Sequence, residues 1–540
     1  MFYKLPNITN EPIKAYAPNS AERKLLKDEI ARLRNSVVEL PMIIDGKEVT
    51  TGNLFDIRPP HDHKHLLGRY HQGGKEHVKA AIEAALKAKP QWEALSPESR
   101  AAIFLKAADL LAYKYRYTMN AITMLGQSKN AFQAEIDAVA ELADFWRYNA
   151  KNMYEIYAMQ PNSSPTIWNR TTWRPLEGFI FALTPFNFTS IAGNLPSAPA
   201  IMGNVAVWKP SKTAVYSAWL IMKILQEAGL PDGVINLVYC SGPDAAAEIF
   251  PHHEFAGLHF TGSTEVFNGM WRSIGENLPN YRSYPRIVGE TGGKDYVFAH
   301  PSACPKQVAT ALVRGAFEYQ GQKCSAASRA YVPASLWDKV MEYMRDDLSK
   351  IKTGGIEDFS NFVNAVIDES SYDKLAAAIA DAQAAKDAEI VLGGKCDKSV
   401  GYFIEPTVIR ANKPDYITMR EELFGPVLTV YVYKDSEVDA TLDLLDKGSA
   451  YALTGAIFCA CRYEIERITK RLMHTAGNFY INDKPTGAQV DQQPFGGGRA
   501  SGTNDKAGTM FNLLRWASPQ AIKENFVPAT DYMYPNFLEA

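Results

Sequence analysis

Hydrophobic spacing changes character near residue 178 of this 540-residue chain. Before that point apolar residues recur at helical intervals. They predict helices over 21–34, 76–88, 100–114 and 130–154, with a short hairpin around Asp45-Gly46-Lys47. The helix at 76–88 is expected to stop before Pro90, and Ser96-Pro97-Glu98 gives the next one a serine cap with proline at its first position. In 130–154 the acids Glu135, Asp137, Glu141 and Asp144 interleave with Ala and Ile, which predicts a helix whose acids mostly face water.

Beyond residue 178 short apolar runs at 179–183, 205–208, 234–238 and 258–260 alternate with helical stretches at 213–229 and 245–250. That rhythm predicts right-handed βαβ crossovers and a parallel sheet. Ligands in such sheets bind at the carboxyl ends of the strands, here the turns 184–188, 209–212 and 261–265. A second α/β block runs from 295 to about 510, with helices at 307–319, 336–351 and 371–384 and strands at 329–332, 390–392 and 428–432. Gly178 to Trp208 carries no charged residue, but Pro185, Pro196 and Pro199 break a continuous membrane-length helix, so a buried strand–turn–helix–strand is expected.

Composition changes this picture little. With 46% hydrophobic residues, 22% charged residues and a net charge of −3, the chain offers no electrostatic case for nucleic acid or an anionic membrane. Six cysteines without a Cys-x-x-Cys pair indicate neither a zinc ribbon nor a disulfide framework, and a reducing compartment is expected. The N-terminus reads as neither a signal peptide nor an Arg-rich transit peptide. The cytoplasm is therefore expected, or the mitochondrial matrix if a presequence was trimmed. His61, His63 and His65 alternate as on one side of a strand, where a solvated edge is a better reading than a metal site.

Candidate chemistry centres on Cys324, in Gly321-Gln322-Lys323-Cys324-Ser325 just after the helix at 307–319. A thiol is a strong nucleophile once ionised, and the Gly-Gln-Lys approach reads as flexible; a buried inert cysteine is the bland alternative. Lys209-Pro210-Ser211 follows a strand and could meet a ribose. Phe260-Thr261-Gly262-Ser263 also follows a strand and could offer donors to a pyrophosphate, although neither matches G-x-G-x-x-G. Glu290, flanked by glycines, could be a general base, and Asn187 in Pro185-Phe186-Asn187-Phe188 could donate to an oxyanion; each could equally be an ordinary turn residue. Together they suit thiolate addition to an aldehyde, hydride loss to a nicotinamide and hydrolysis of the thioester. No convincing histidine accompanies Cys324 as a protease dyad would need.

The order of these segments resembles the aldehyde dehydrogenase superfamily over nearly the whole chain. The matching motifs are Thr184-Pro185-Phe186-Asn187-Phe188, Trp208-Lys209-Pro210-Ser211, Phe260-Thr261-Gly262-Ser263, Gly289-Glu290-Thr291-Gly292-Gly293-Lys294, Gly321-Gln322-Lys323-Cys324, Glu422-Leu423-Phe424-Gly425-Pro426 and Pro494-Phe495-Gly496-Gly497. Further stretches, such as Gln133-Ala134-Glu135-Ile136-Asp137 and Ala476-Gly477-Asn478-Phe479-Tyr480-Ile481-Asn482-Asp483-Lys484, resemble the branch that acts on L-glutamate γ-semialdehyde.

The resemblance implies an α/β aldehyde dehydrogenase fold. Residues 1–153 with 177–288 would form a Rossmann-like NAD-binding domain and 289–510 a catalytic domain; 154–176 with 511–540 would form an oligomerisation flap and tail, giving a homodimer. It implies NAD-dependent oxidation of that semialdehyde to L-glutamate in proline degradation. Cys324 would be the nucleophile, Asn187 an oxyanion donor and Glu290 the base for water. Thr184, Lys209, Ser211, Gly262, Ser263, Thr264, Glu265, Val266, Glu422 and Phe424 would bind NAD. Glu141, Phe188, Ser325, Gly487, Ala488 and Phe495 would bind substrate, and no metal is implied. At Ala488 animal relatives carry serine, so one hydroxyl contact is missing; Lys212 stands where many NAD-linked relatives have an acid and could tolerate a 2′-phosphate. A dehydrogenase of another small semialdehyde and a catalytically silent member of the family are the alternatives, whereas Glu290 argues against a CoA-acylating relative.

Overall fold

The computed structural model describes residues 4–538; Met1-Phe2-Tyr3, part of the segment read for targeting, and Glu539-Ala540 of the tail lie outside the described residues. Among the described residues no helix is long and apolar enough to cross a membrane.

Two seven-stranded sheets organise the chain. The first holds β1 (Met42–Ile44), β2 (Lys47–Val49), β3 (Phe179–Leu183), β4 (Val205–Lys209), β5 (Ile235–Leu237), β6 (Phe255–Thr261) and β7 (Arg286–Glu290), in the order β7-β6-β3-β4-β5-β1-β2. The strands β7, β6, β3, β4 and β5 run parallel, and the β1–β2 hairpin adds an antiparallel edge. The chain winds outward from β3 through β4 and β5, then returns to place β6 on the other side of β3. That reversal makes a cleft at the strands' carboxyl ends.

The second sheet holds β8 (Asp295–Ala299), β9 (Ala327–Pro333), β10 (Ala388–Leu392), β11 (Thr407–Ala411), β12 (Val427–Tyr433), β13 (Thr454–Phe458) and β14 (Asn478–Ile481), in the order β10-β11-β12-β9-β8-β13-β14. Only β10 is antiparallel to its neighbour. Apart from the two sheets, Ile167–Pro175 and Ala517–Asn525 pair as a largely exposed antiparallel ribbon that the rest of the chain leaves projecting.

The uncharged stretch is a strand–turn–helix–strand, as expected, but Pro196 and Pro199 sit inside the helix Thr189–Ile201 rather than at its ends. Pro199 lacks the N–H that would bond the Leu195 carbonyl, and the buried His259 ring donates to that oxygen through Nδ1 at 2.8 Å instead. Burial lowers the His259 pKa to about 4, consistent with a neutral ring that carries its proton on Nδ1. The same helix explains a wrong expectation at Pro90. The helix Lys75–Ala94 continues through that proline because the buried Trp92 indole donates to Ala200 O at 2.9 Å and holds the last turn.

Two further expectations fail. His61, His63 and His65 lie on a loop, not a strand, and their rings bond separately to Ser128 Oγ, Lys398 O and Arg34 O. Among the described residues no group of three or more His, Cys, Asp or Glu could hold a metal ion. The acids of 130–154 do not face water: Glu135, Asp137 and Asp144 are buried, and Glu141 is half-buried. Each has buried partners, Glu135 with Arg116, Tyr16 and Asn120, and Asp144 with the Glu11 N–H. Paired carboxylates can sit where a hydrophobic pattern predicts none.

Candidate active site

Cys324 follows a tightly packed turn. After the helix Pro305–Phe317 the backbone takes three successive left-handed residues, Tyr319 (φ 49°), Gln320 (φ 53°) and Gly321 (φ 66°). A Cβ on Gly321 would come within 2.2 Å of the Gly425 carbonyl, so glycine is required there. The expectation of a flexible approach is wrong. Gln320 Nε2 donates to Ser128 O and Ala365 O at 2.9 Å each, Gln322 Oε1 accepts from Ile367 N–H at 2.9 Å, and both glutamines are buried.

The Asn187 amide donates to Gln322 O at 3.1 Å, which ties the turn after β3 to the nucleophile turn and leaves its second N–H free of that bond. Glu290 ends β7. Its Oε2 has no hydrogen-bond partner, and burial holds its carboxyl well above the usual range despite the Lys506 ammonium. Burial likewise raises the Cys324 thiol, and the carboxyls of Asp295, Glu290 and Glu422 act in the same direction. In both groups burial favours the neutral form.

One cavity of about 300 Å³ is lined by Cys324 and Glu290 together with Glu141, Phe188, Ser325, Gly487, Ala488 and Phe495. All six residues expected around the substrate thus line the same space as the nucleophile and base. Glu141 accepts a hydrogen bond from Ser190 Oγ at 2.6 Å, and burial together with the neighbouring Asp137 pushes its pKa up to about 8.

The motif reading assigned no role to the lysines beside this cavity. Lys323 and Lys484 both line it and share one partner, Glu318, at 3.3 and 3.4 Å. Two cations against one carboxylate leave an excess of one positive charge for an anion. Burial lowers the Lys323 pKa to about 8, so it stays largely protonated at neutral pH. Local sequence gives no sign of this cluster, because Glu318 and Lys484 meet only in three dimensions.

A second cavity, of about 350 Å³, lies at the ends of β3 and β4, between the helices Gly242–Ile249 and Thr264–Glu276. Phe181, Leu183, Phe250 and Met270 give it apolar walls, with Lys209 and Val266 beside them. Ser263 caps the helix Thr264–Glu276, its Oγ accepting from Val266 N–H at 3.3 Å, and that helix brings its positive end to the cleft. Not every candidate points outward. Gly262 N–H is bonded to Glu290 O at 3.1 Å and is not a free donor to a pyrophosphate. Thr184 Oγ1 accepts from the Trp208 indole at 3.0 Å, Thr264 Oγ1 accepts from Gly292 N–H at 3.3 Å, and Ser211 pairs with Thr213 at 3.1 Å. Glu265 is exposed in the first turn of the same helix. Glu422 accepts from Gly293 N–H at 2.8 Å, and Phe424 holds a left-handed backbone (φ 60°) with its ring edge-on to Phe186. An apolar slot, a half-buried lysine and a helix N-terminus fit an adenine nucleotide.

Residues 48–518 match the aldehyde dehydrogenase family, and the chain belongs to that family, whose fold the two sheets reproduce. Among its relatives, the mitochondrial delta-1-pyrroline-5-carboxylate dehydrogenase of Dictyostelium discoideum is 52% identical, over 99% of this chain and 96% of that protein. The human protein of the same name is 45% identical over 98% of this chain and 94% of its own length. A crystal structure of delta-pyrroline-5-carboxylate dehydrogenase from Mycobacterium tuberculosis bound with NAD superposes with a TM-score of 0.96 at 48% identity, covering all of both chains.

Proposed function

We propose that this enzyme oxidises L-glutamate γ-semialdehyde, the open form of 1-pyrroline-5-carboxylate, to L-glutamate with NAD, the second step of proline degradation. The observation that carries the reading is one cavity joining Cys324 and Glu290 to an anion-binding cluster of Ser325, Lys323, Lys484 and the Gly487-Ala488 backbone. A carboxylate at the far end of a short aldehyde is what such a cluster would select.

In this reading Cys324 gives its proton to solvent and the thiolate adds to the aldehyde carbon, while Asn187 and the Cys324 backbone N–H hold the oxyanion. Lys209 and Glu422 would hold the ribose hydroxyls of the cofactor, and the helix behind Ser263 would favour its pyrophosphate. Bound NAD would supply the hydride acceptor. Glu290, whose Oε2 is unpartnered, acts in its ionised form: it takes a proton from the water that attacks the thioester, the C–S bond breaks and the Cys324 thiolate leaves. Phe188 and Phe495 flank the aliphatic stem. The domain limits 1–153 with 177–288, 289–510, and 154–176 with 511–540 belong to the same reading. So does a homodimer formed through the projecting ribbon, where Trp168 is 49% exposed; sedimentation at equilibrium tests that assembly.

The test is NADH formation. Wild-type enzyme is expected to turn over glutamate semialdehyde faster than succinate semialdehyde, and Cys324→Ala to lose activity by at least about 10³-fold while still titrating with NAD. Full activity in Cys324→Ala, or a preference for succinate semialdehyde, overturns the proposal.

A further inference from the structure

Lys129 is among the most deeply buried cations of the fold, and nothing in the chemistry above uses it. Its Nζ lies 2.5 Å from Asp137 Oδ2, with the side chains 1% and 0% exposed. The ammonium also sits 4.4 Å from the ring centroids of both Phe188 and Tyr319, so two aromatic faces enclose it. Neither Lys129 nor Asp137 lines the substrate cavity.

What the pair holds is the machinery itself. Phe188 is the chain neighbour of Asn187, and Tyr319 stands in the left-handed turn leading into Cys324. Asp137 accepts Thr189 N–H at 3.0 Å and Ser190 N–H at 2.9 Å, capping the helix Thr189–Ile201, which has no side-chain cap of its own. The Ser190 hydroxyl then donates to Glu141. One ion pair therefore meets the stem-flanking ring, the oxyanion turn, the nucleophile turn and the cavity acid. Stability alone is a poor reason to keep it, because a buried ion pair is often replaced by neutral residues of similar volume at little loss.

We propose that Lys129 and Asp137 are a positioning pair for aldehyde oxidation: the ammonium fixes the Phe188 and Tyr319 rings, and the carboxylate fixes the Thr189-Ser190 backbone and, through Ser190, Glu141. This rests on the aldehyde-oxidising reading of the cavity. Misplacement by about 1 Å at such a site lowers rates by roughly 10²-fold.

The test compares Lys129→Met/Asp137→Asn, which leaves no uncompensated buried charge, with Lys129→Arg. The neutral pair should fold with a thermal midpoint near wild type and an unchanged NAD titration. Its KM for glutamate semialdehyde should rise at least about 10-fold and its kcat/KM fall about 100-fold. Lys129→Arg, which keeps a cation between the rings, should recover part of the loss. A neutral pair with wild-type KM and kcat overturns the proposal, as does Lys129→Arg no better than the neutral pair. If the neutral pair does not fold, Tyr319→Leu reads the same prediction, since it strips one ring from the lysine at a position outside the cavity; an unchanged KM there also overturns it. Wild-type enzyme inactive on glutamate semialdehyde but active on another aldehyde would remove only the substrate assignment, and the variants would then be compared on that aldehyde.

Discussion

The cofactor cleft and the aldehyde cavity are built by different routes. The cleft comes from contiguous strand–turn–helix units: β4 delivers Lys209 at its last residue, and β6 runs directly into Ser263 and the helix it caps. The cavity draws Glu141, Phe188, Ser325, Ala488 and Phe495 from separate segments, pinned by buried polar contacts far apart in the chain. Local backbone geometry thus makes the nucleotide side, and long-range satisfaction of buried charge makes the substrate side. Substitutions in the cleft should act singly, whereas those around the cavity should couple to one another.

The sharpest probe crosses the two regions at Glu290, which ends a strand of the first sheet yet faces the thiol's cavity. Glu290→Gln should lower steady-state turnover about 10³-fold while a pre-steady-state burst of NADH survives, because only hydrolysis needs the base. Loss of the burst would mean that the carboxyl acts before hydride transfer. A smaller effect, confined to the cleft, is expected of Lys209→Ala: the KM for NAD should rise about 10-fold with the aldehyde KM unchanged, the usual size of a lost charge-assisted hydrogen bond. If the aldehyde KM moved equally, the two regions would not be separable. On the cavity side, Ala488→Ser should lower the aldehyde KM by about 2- to 5-fold, since one neutral hydroxyl contact contributes about 0.5–1.5 kcal/mol.

The smallest effect concerns pH. Glu141 has its pKa raised to about 8, against about 4.3 for an unfolded glutamate. The folded state therefore binds this proton more tightly than the unfolded chain, and the stability it contributes is lost as pH rises from about 4.3 through 8. Asp144, raised to about 6 by burial, acts in the same direction. Glu141→Gln should flatten the fall in Tm between pH 5 and 8 by a few degrees or less; a variant whose Tm falls as steeply as wild type would place the titration elsewhere.

The sequence alone determined much of this. Strand–helix alternation beyond residue 178 gives a parallel sheet because only right-handed crossovers return a chain to the same face, and the strand ends then mark the cleft. Motif order brought Cys324, Glu290 and Asn187 forward together, and the structure sets the first two on one cavity with Asn187 hydrogen-bonded to the turn that carries Cys324.

Only the tertiary structure decided the rest. Helical periodicity reports the spacing of apolar residues but not whether an acid finds a cation, so Asp137 read as a wet helix acid until Lys129 and two backbone amides were seen to enclose it. The helices through Pro90, Pro196 and Pro199 persist for a related reason: partners distant in sequence, such as Trp92 with Ala200 and His259 with Leu195, satisfy or anchor the backbone that proline disturbs. Buried charges and interrupted hydrogen-bond ladders are made good by residues at large sequence separation, and that compensation is invisible until the chain is folded.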